Sequence, residues 1–348
     1  MADTAAGWDA IDGALARRYP GVEPLHYGTL VKWRLGGPDP LDGISAYRRD
    51  DHWHLVSYGM SELYEKESSV AEESGWGFEF TFRVARTPDE NEPPTWALNF
   101  LQNLARYVFS SGNAFAPGHH IDLNGPISLS TPDTAIRAVT FAEDPELGRV
   151  GTPHGRVLFL QIVGLTLDEY ATIERWDARR LLDLLASRLP LLVTDLARGS
   201  ATDDATVAAA VEEGVRRDGS STGSLYVQEA GWQPTGGSPG NGVVLSFGAS
   251  AAPRIARVLA ARLPFGRGLA VDAPEGKVGF LPGERFAITG PADGRIEIHL
   301  PATALTELTS VLRPTVGTHP LGSAPGLTVR IVRSQIRDQA GNVVAEIG

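Results

Sequence analysis

Gly77-Phe78-Glu79-Phe80-Thr81-Phe82-Arg83-Val84-Ala85-Arg86 alternates large apolar and polar side chains. In an extended chain Phe78, Phe80, Phe82 and Val84 share one face, and Glu79, Thr81 and Arg83 share the other. This period of two predicts a half-buried strand over 77–86. Downstream, Pro93-Pro94-Thr95 introduces a helix over 96–110, with Thr95 as its N-cap. Leu101, Leu104, Ala105 and Val108 form its core stripe, and the spacing of Phe100, Leu104 and Tyr107 puts Tyr107 in the core as well, the alternative being a tyrosine that faces a groove with its hydroxyl free. A Gly/Pro-rich loop holding Gly112, Pro117, Gly118, His119 and His120 follows. Strands are predicted over 136–141 and 157–164, and a helix over 167–185 with Asp168 and Glu169 at its positive end. A short strand over 191–195, a helix over 205–217 and a strand over 225–232 come next. Upstream, Trp8, Ile11 and Leu15 mark a helix over 8–19 stopped by Pro20-Gly21. Strands over 27–35 and 52–59 flank the turn-rich segment 36–42.

Residues 233–241 carry Pro, Thr, Ser and three glycines with almost no apolar residue, the composition of a linker. The expected division is a first domain over 1–232, a linker over 233–241 and a smaller domain over 242–348. The second domain begins with a strand over 243–247 and a helix over 253–263. Strands near Lys277, Phe286 and Ile296, a helix over 302–312 and a strand over 327–333 complete it. Helices and strands alternate without a βαβ rhythm. The fold class is therefore α+β, with mixed or antiparallel sheets flanked by helices.

The 348 residues, 42% of them hydrophobic with seven Trp, twelve Phe and eight Tyr, supply ample core material for two domains. The net charge of −11 and the short basic pairs Arg48-Arg49, Arg179-Arg180 and Arg216-Arg217, each beside acidic residues, disfavour a nucleic-acid partner. A basic peptide or protein suits that charge better. The absence of cysteine excludes disulfides, thiol catalysis and Cys-ligated metals, and fits a cytoplasmic location. No signal peptide is expected at the N-terminus. The longest apolar run, 157–167, is too short to span a membrane and reads as a buried strand.

Chemistry-bearing residues are sparse. His52-Trp53-His54 places two imidazoles on one strand face, and His119, His120 and His154 lie on or near loops. Imidazole is a good zinc ligand, yet no HExxH helix or matched carboxylate spacing accompanies these histidines. Histidines beside a tryptophan on a strand read as structural, and no metal or cofactor is expected. Glu143-Asp144-Pro145 and Asp39-Pro40-Leu41-Asp42 read as acidic turns. No GxSxG, Walker A or GxGxxG-plus-helix motif is present. The alternative is a metal-dependent or acid/base hydrolase using the loop histidines and Glu143.

A longer pattern runs through the chain. Val31-Lys32-Trp33-Arg34-Leu35-Gly36-Gly37-Pro38-Asp39-Pro40-Leu41-Asp42 resembles a signature of Suppressor of fused proteins. So do His52-Trp53-His54, Ser61-Glu62-Leu63-Tyr64, Gly77-Phe78-Glu79-Phe80-Thr81-Phe82-Arg83, Pro93-Pro94-Thr95-Trp96 and Leu104-Ala105-Arg106-Tyr107-Val108-Phe109. The pattern continues through Ala142-Glu143-Asp144-Pro145, Thr152-Pro153, Phe159-Leu160-Gln161-Ile162-Val163-Gly164 and Thr194-Asp195 to Asp218-Gly219-Ser220. Beyond it the match holds only in outline.

The resemblance implies two domains with a cleft between them and no catalytic activity. In animal members that cleft captures an extended peptide of zinc-finger transcription factors of the Hedgehog pathway, which adds as a strand. Carried over by position, the partner-binding residues are Tyr107, His119, His120 and Glu143. A family aspartate falls on His119, which removes a negative charge, so the animal peptide is expected to bind poorly. The long phosphorylated insertion of animal members has no equivalent, which makes the chain similar to bacterial members. Bacterial relatives are regarded as immunity proteins that neutralise a toxin, and an acidic chain would suit a basic one. Fold alone does not fix that role.

Overall fold

The computed structural model describes residues 5–235, 242–292, 294–337 and 342–348. The chain divides into two compact units, Met1–Tyr170 with Ala178–Val207, and Ala171–Asp177 with Ala208–Gly348.

In the first unit, helix α1 (Ala6–Arg18) precedes β1 (Leu25–Gly28), β2 (Gly43–Arg48), β3 (His52–Tyr58) and β4 (Glu73–Ala85). Helix α2 (Thr95–Ser111), β5 (His120–Asp122), β6 (Ile136–Glu143), β7 (Arg149–Thr152) and β8 (Gly155–Thr166) follow. One sheet has the order β1-β2-β3-β4-β8-β6-β5, with β7 folded back on β8. The β4–β8 pairing is parallel and its other pairings are antiparallel. On one face Leu101, Leu104, Ala105 and Val108 of α2 pack with Phe78, Phe80, Phe82 and Phe141. On the other, Ile11, Leu15 and Tyr19 pack with Val56, Tyr58 and Phe159. Central β4 is thus covered on both faces. The expectation of a half-buried strand is corrected, because Glu79, Thr81 and Arg83 are all fully buried. These polar side chains survive burial because each has partners of its own.

Helix α3 (Leu167–Arg175) links the units, and α4 (Ala178–Leu185) returns the chain to the first. The single helix expected over 167–185 breaks at Trp176-Asp177. Ser221 N–H donates to the Trp176 carbonyl at 2.7 Å, which takes the acceptor a continuing helix would use. The Trp176 indole donates to Asp218. Nearby, Arg254 and Arg257 donate to the fully buried Glu174, Arg257 at 3.0 Å.

Helix α5 (Ala205–Asp218) leads into β9 (Ser224–Tyr226), β10 (Ala230–Pro234), β11 (Val243–Gly248) and α6 (Ala252–Arg262). Next come β12 (Leu269–Ala273), β13 (Gly276–Pro282), β14 (Ala287–Ala292), β15 (Arg295–Leu300) and α7 (Ala302–Val311). The chain ends in β16 (Gly317–Pro320), β17 (Leu327–Val332), β18 (Ser334–Arg337) and β19 (Val343–Ile347). The second unit holds a β10-β11-β17-β16 sheet, a β14-β15-β13-β12-β9 sheet and a β18-β19 hairpin. Phe247, Ile255, Leu259, Phe280, Ile298 and Leu308 belong to its core. The fold is α+β with mixed sheets.

The strand read over 225–232 is two strands. Parallel β9 pairs with β12 and antiparallel β10 with β11, so both lie in the second unit. The compact division therefore falls near residue 207 rather than 232. Of the expected linker, Gln233 and Pro234 end β10, and residues 236–241 lie outside the described residues.

Three local expectations also change. The strand read over 27–35 stops at Gly28, and Trp33–Leu35 forms a 3-10 turn ended by Gly36 at φ 85°. Residues 191–195 hold a 3-10 turn, Pro190–Leu192, with Leu191 and Leu192 at φ 54° and 57°. Gln161 donates to both their carbonyls, at 2.8 and 3.1 Å, which holds this left-handed pair in place. Thr95 is the first helical residue of α2 rather than its cap, a place Pro94 takes.

Candidate partner-binding site

Strand β6 gathers the four residues carried over by resemblance. Phe141, on its α2-facing side, is fully buried and stacks on Phe115 at 4.3 Å and 15°. Phe115 in turn stacks on Tyr107 at 5.5 Å and 20°. The column ends at the surface, where Tyr107 is 44% exposed. The core position that periodicity gave Tyr107 is therefore corrected. The α2 stripe turns inward through Ala97, Leu101, Leu104, Ala105 and Val108, and Tyr107 sits on its flank. Asn113 donates to the Tyr107 hydroxyl at 3.4 Å.

The loop before β5 is tied to the same strand. Gly118 N–H donates to the Phe141 carbonyl at 2.8 Å, and Phe141 N–H donates to the His119 carbonyl at 3.0 Å. The Thr140 hydroxyl also donates to the His119 carbonyl, at 2.9 Å. The His119 backbone is thus held by three bonds from its loop and β6, counting its own N–H to Ala116, while its side chain is exposed. His120 opens β5 opposite Thr140, and its ring meets Tyr170 edge-on at 5.2 Å. Arg179 donates to the Pro117 carbonyl at 3.2 Å and braces the loop.

Glu143 lies two residues beyond Phe141 and so on the same face of β6. Its carboxylate is half exposed and only 3.5 Å from Arg149 Nε, an open pairing that contributes little. Phe141 and Glu143 share one face of β6, with the exposed His119 on the loop bonded to Phe141, whereas His120, in register with Thr140, points to the opposite face beside Tyr170. This set offers stacking, an anionic contact and polar contacts to a polypeptide. It contains no nucleophile positioned by a base.

His52 and His54 serve the interior. His54 Nδ1 is 2.5 Å from the Tyr19 hydroxyl, and its Nε2 is 3.2 Å from Asp144 without hydrogen-bond alignment. Asp144 receives a two-pronged contact from Arg83 at 2.6 and 3.1 Å, and a bond from Thr81 at 2.8 Å. Arg83 also reaches Gln161 and Glu146. Burial, then the Arg83 charge, push His54 down to about 4, while Asp144 pulls the other way. Burial raises the Asp144 pKa, but His54 and Arg83 outweigh it and hold the carboxyl below its usual range. His52 is buried against Asp51 at 2.6 Å, and His154 sits in the β7–β8 turn. Among the described residues, no group of three or more His, Asp or Glu side chains converges to hold a metal ion. The acidic turns are also engaged locally. Asp144 accepts from Glu146 and Leu147 N–H at 2.9 Å, Asp39 pairs with Arg106, and Asp42 accepts from Tyr64. Sequence reasoning missed Phe115 and Phe141 as the support of Tyr107, because a loop and a strand meet there. A Phe inside a loop otherwise rich in Gly, Pro and Ala was the available signal.

The profile of the family described as Suppressor of fused protein (SUFU) matches residues 37–199. The chain is 38% identical over 234 residues to the human Suppressor of fused homolog, covering 62% of this chain and 48% of that protein. The mouse homolog matches to the same extent. The chain thus spans about half the length of the curated relatives it matches. In three dimensions it is similar to the crystal structure of Drosophila Suppressor of Fused. The TM-score is 0.76 over 94% of this chain and 97% of that one, at 22% identity, a likeness of fold. A chain in the crystal structure of the Sufu–Fu complex matches with a TM-score of 0.55 and 34% identity, over 61% of this chain and 97% of that one.

Proposed function

The chain belongs to the Suppressor of fused family, and on that premise we propose that it is a non-catalytic module that binds an extended segment of a protein partner. The observation that carries this reading is the Tyr107–Phe115–Phe141 column, which rises from the β6 face that also bears Glu143 and ends in an exposed tyrosine. An aromatic platform and an open carboxylate borne by one strand face fit an extended segment that stacks an apolar or planar side chain at Tyr107 and places a cation at Glu143. His119, on the loop bonded to Phe141, completes the contact surface, and His120 points to the other face of the sheet. His119 stands where animal members carry an aspartate, so the segment differs from the animal one. The net charge of −11 favours a basic partner. A basic toxin neutralised in a bacterial cytoplasm is the form of this reading that the charge and family associations suit best.

Comparative capture from the native cells tests it. The wild-type chain is expected to retain a specific partner, and Tyr107→Ala is expected to weaken purified-partner binding at least tenfold, or about 1.4 kcal/mol. Because Tyr107 is surface-exposed, the unfolding midpoint should barely move. Unchanged affinity in both Tyr107→Ala and Glu143→Arg would sink the site. Collapse of the fold in Tyr107→Ala would instead mark the tyrosine as structural.

A further inference from the structure

A second surface of the first unit is not used by that reading. The segment around the 3-10 turn exposes Leu30, Val31, Trp33 and Leu35, with Leu30 bare to solvent and Leu35 73% exposed. Exposed apolar side chains in one contiguous run mark interaction surfaces. The segment borders a groove of about 500 Å³. Trp33 meets Phe109 at 5.5 Å and Phe109 meets Trp76 at 5.6 Å, so three rings form one wall.

The groove is preformed. Its floor, Gly59 to Ser61, is fixed from below by buried Glu79, which accepts from the backbone N–H of Gly59, Met60 and Ser61 at 2.9, 3.3 and 2.9 Å. Its wall is fixed by Gly37, where an added Cβ would lie 1.8 Å from the Val31 carbonyl. Such rigidity lowers the ordering cost of binding.

The rim is acidic. Lining carboxylates are Asp42, Glu62, Glu65 and Glu67, against the single cation Arg34. Arg34 lies over the Tyr64 ring at 4.2 Å, and Lys32 lies 3.4 Å from Asp42. Lys66 lies 3.1 Å from Glu62. Among the described residues Glu65 and Glu67 have no ion-pair partner, so the rim's unbalanced charge is negative.

We propose that this groove is a second protein-docking site, taking a basic segment of a partner whose aromatic or aliphatic side chain seats against Trp33, Trp76 and Phe109. It is separate from the β6 site. Phe109 and Tyr107 are two residues apart on α2, roughly 200° around the helix, so they face opposite flanks.

Three fluorescein-labelled decapeptides test it on the full chain. One interleaves Arg with Trp and Leu, one replaces Trp and Leu by Ser, and one replaces Arg by Glu. The first is expected to bind at least tenfold tighter than either control. Trp33→Ala should abolish that advantage, and Glu65→Lys with Glu67→Lys should flatten its salt dependence. Tyr107→Ala should leave it intact. Equal binding of the Ser peptide would reduce the effect to bulk charge attraction and overturn the proposal. So would indifference to Trp33→Ala, or loss in Tyr107→Ala. A dimer in sedimentation velocity that Trp33→Ala dissociates, and that the first peptide does not, would assign the surface to a second copy instead. If Trp33→Ala alters the circular dichroism spectrum, Leu35→Asp, at a more exposed position, carries the same test.

Discussion

Arg83 and His54 compete for one carboxylate, Asp144, and the arginine holds it. A buried imidazole between a guanidinium and a tyrosine hydroxyl stays neutral, because burial and the Arg83 charge both oppose its protonation. The consequence for stability has a definite sign. The folded pKa of about 4 lies below the ordinary 6.5, so over that window the unfolded chain binds the proton and the folded one does not. His54 therefore favours folding fully above pH 6.5, and that contribution is lost as the pH falls toward 4. The loss is about 3 kcal/mol across the window. Asp144, whose pKa is depressed, adds a further loss below about pH 4. Urea unfolding at pH 7 and pH 4.5 should show the fall in the wild type and a smaller one in His54→Gln. Equal falls in both would assign the pH dependence to other groups. None of this layer is visible in composition. Alternation places Glu79, Thr81 and Arg83 together on one face, but reading that face as solvent-exposed requires knowing that no second helix covers it.

At the scale of elements, what was legible depended on how much each segment carries its own burial pattern. Helix α2, read over 96–110 and found over Thr95–Ser111, has a complete apolar stripe. Strands β3, β4, β6 and β8 have long apolar runs or alternation. The strands overlooked or misplaced, β1, β2, β5, β7, β9, β12, β16, β18 and β19, are short or lack a repeating pattern, and owe their form to a partner elsewhere in the chain. The proposed site residues came only from resemblance, since stripe periodicity alone sends Tyr107 inward. Two helical glycines show how packing overrides local preference. Gly13 in α1 has nothing nearer to an added Cβ than the flexible end of Arg17 at 4.0 Å. Gly13→Ala should therefore stabilise by up to about 1 kcal/mol through helix propensity. At Gly214 in α5 the added Cβ would lie 2.2 Å from the Trp176 ring. That ring is buried and hydrogen-bonded to Asp218, so overpacking of about 1–3 kcal/mol outweighs the same gain. Thermal melts of the two variants should shift in opposite directions. A stabilised Gly214→Ala would show that the indole moves freely.

At the scale of the whole molecule the two units are interleaved in sequence. Residues 171–177 belong to the second unit, although the first resumes at Ala178. A polypeptide ending at residue 232, where composition places the boundary, would keep β9 and part of β10 without β12 and β11. Limited proteolysis followed by mass spectrometry is expected to trim it toward residue 207 and to nick it around 171–177, while the full chain resists at both places. Amide protection of Leu225 in the truncated chain would argue that the first unit holds β9 after all. The same interleaving acts during synthesis. Glu174 leaves the ribosome before the two arginines that neutralise it, Arg254 and Arg257, which lie 80 and 83 residues later. At roughly 5–20 residues per second the carboxylate waits ~4–16 s. During that interval the nascent chain keeps a charge that has no place in a finished interior, and the end of α3 cannot settle until the second unit is largely made.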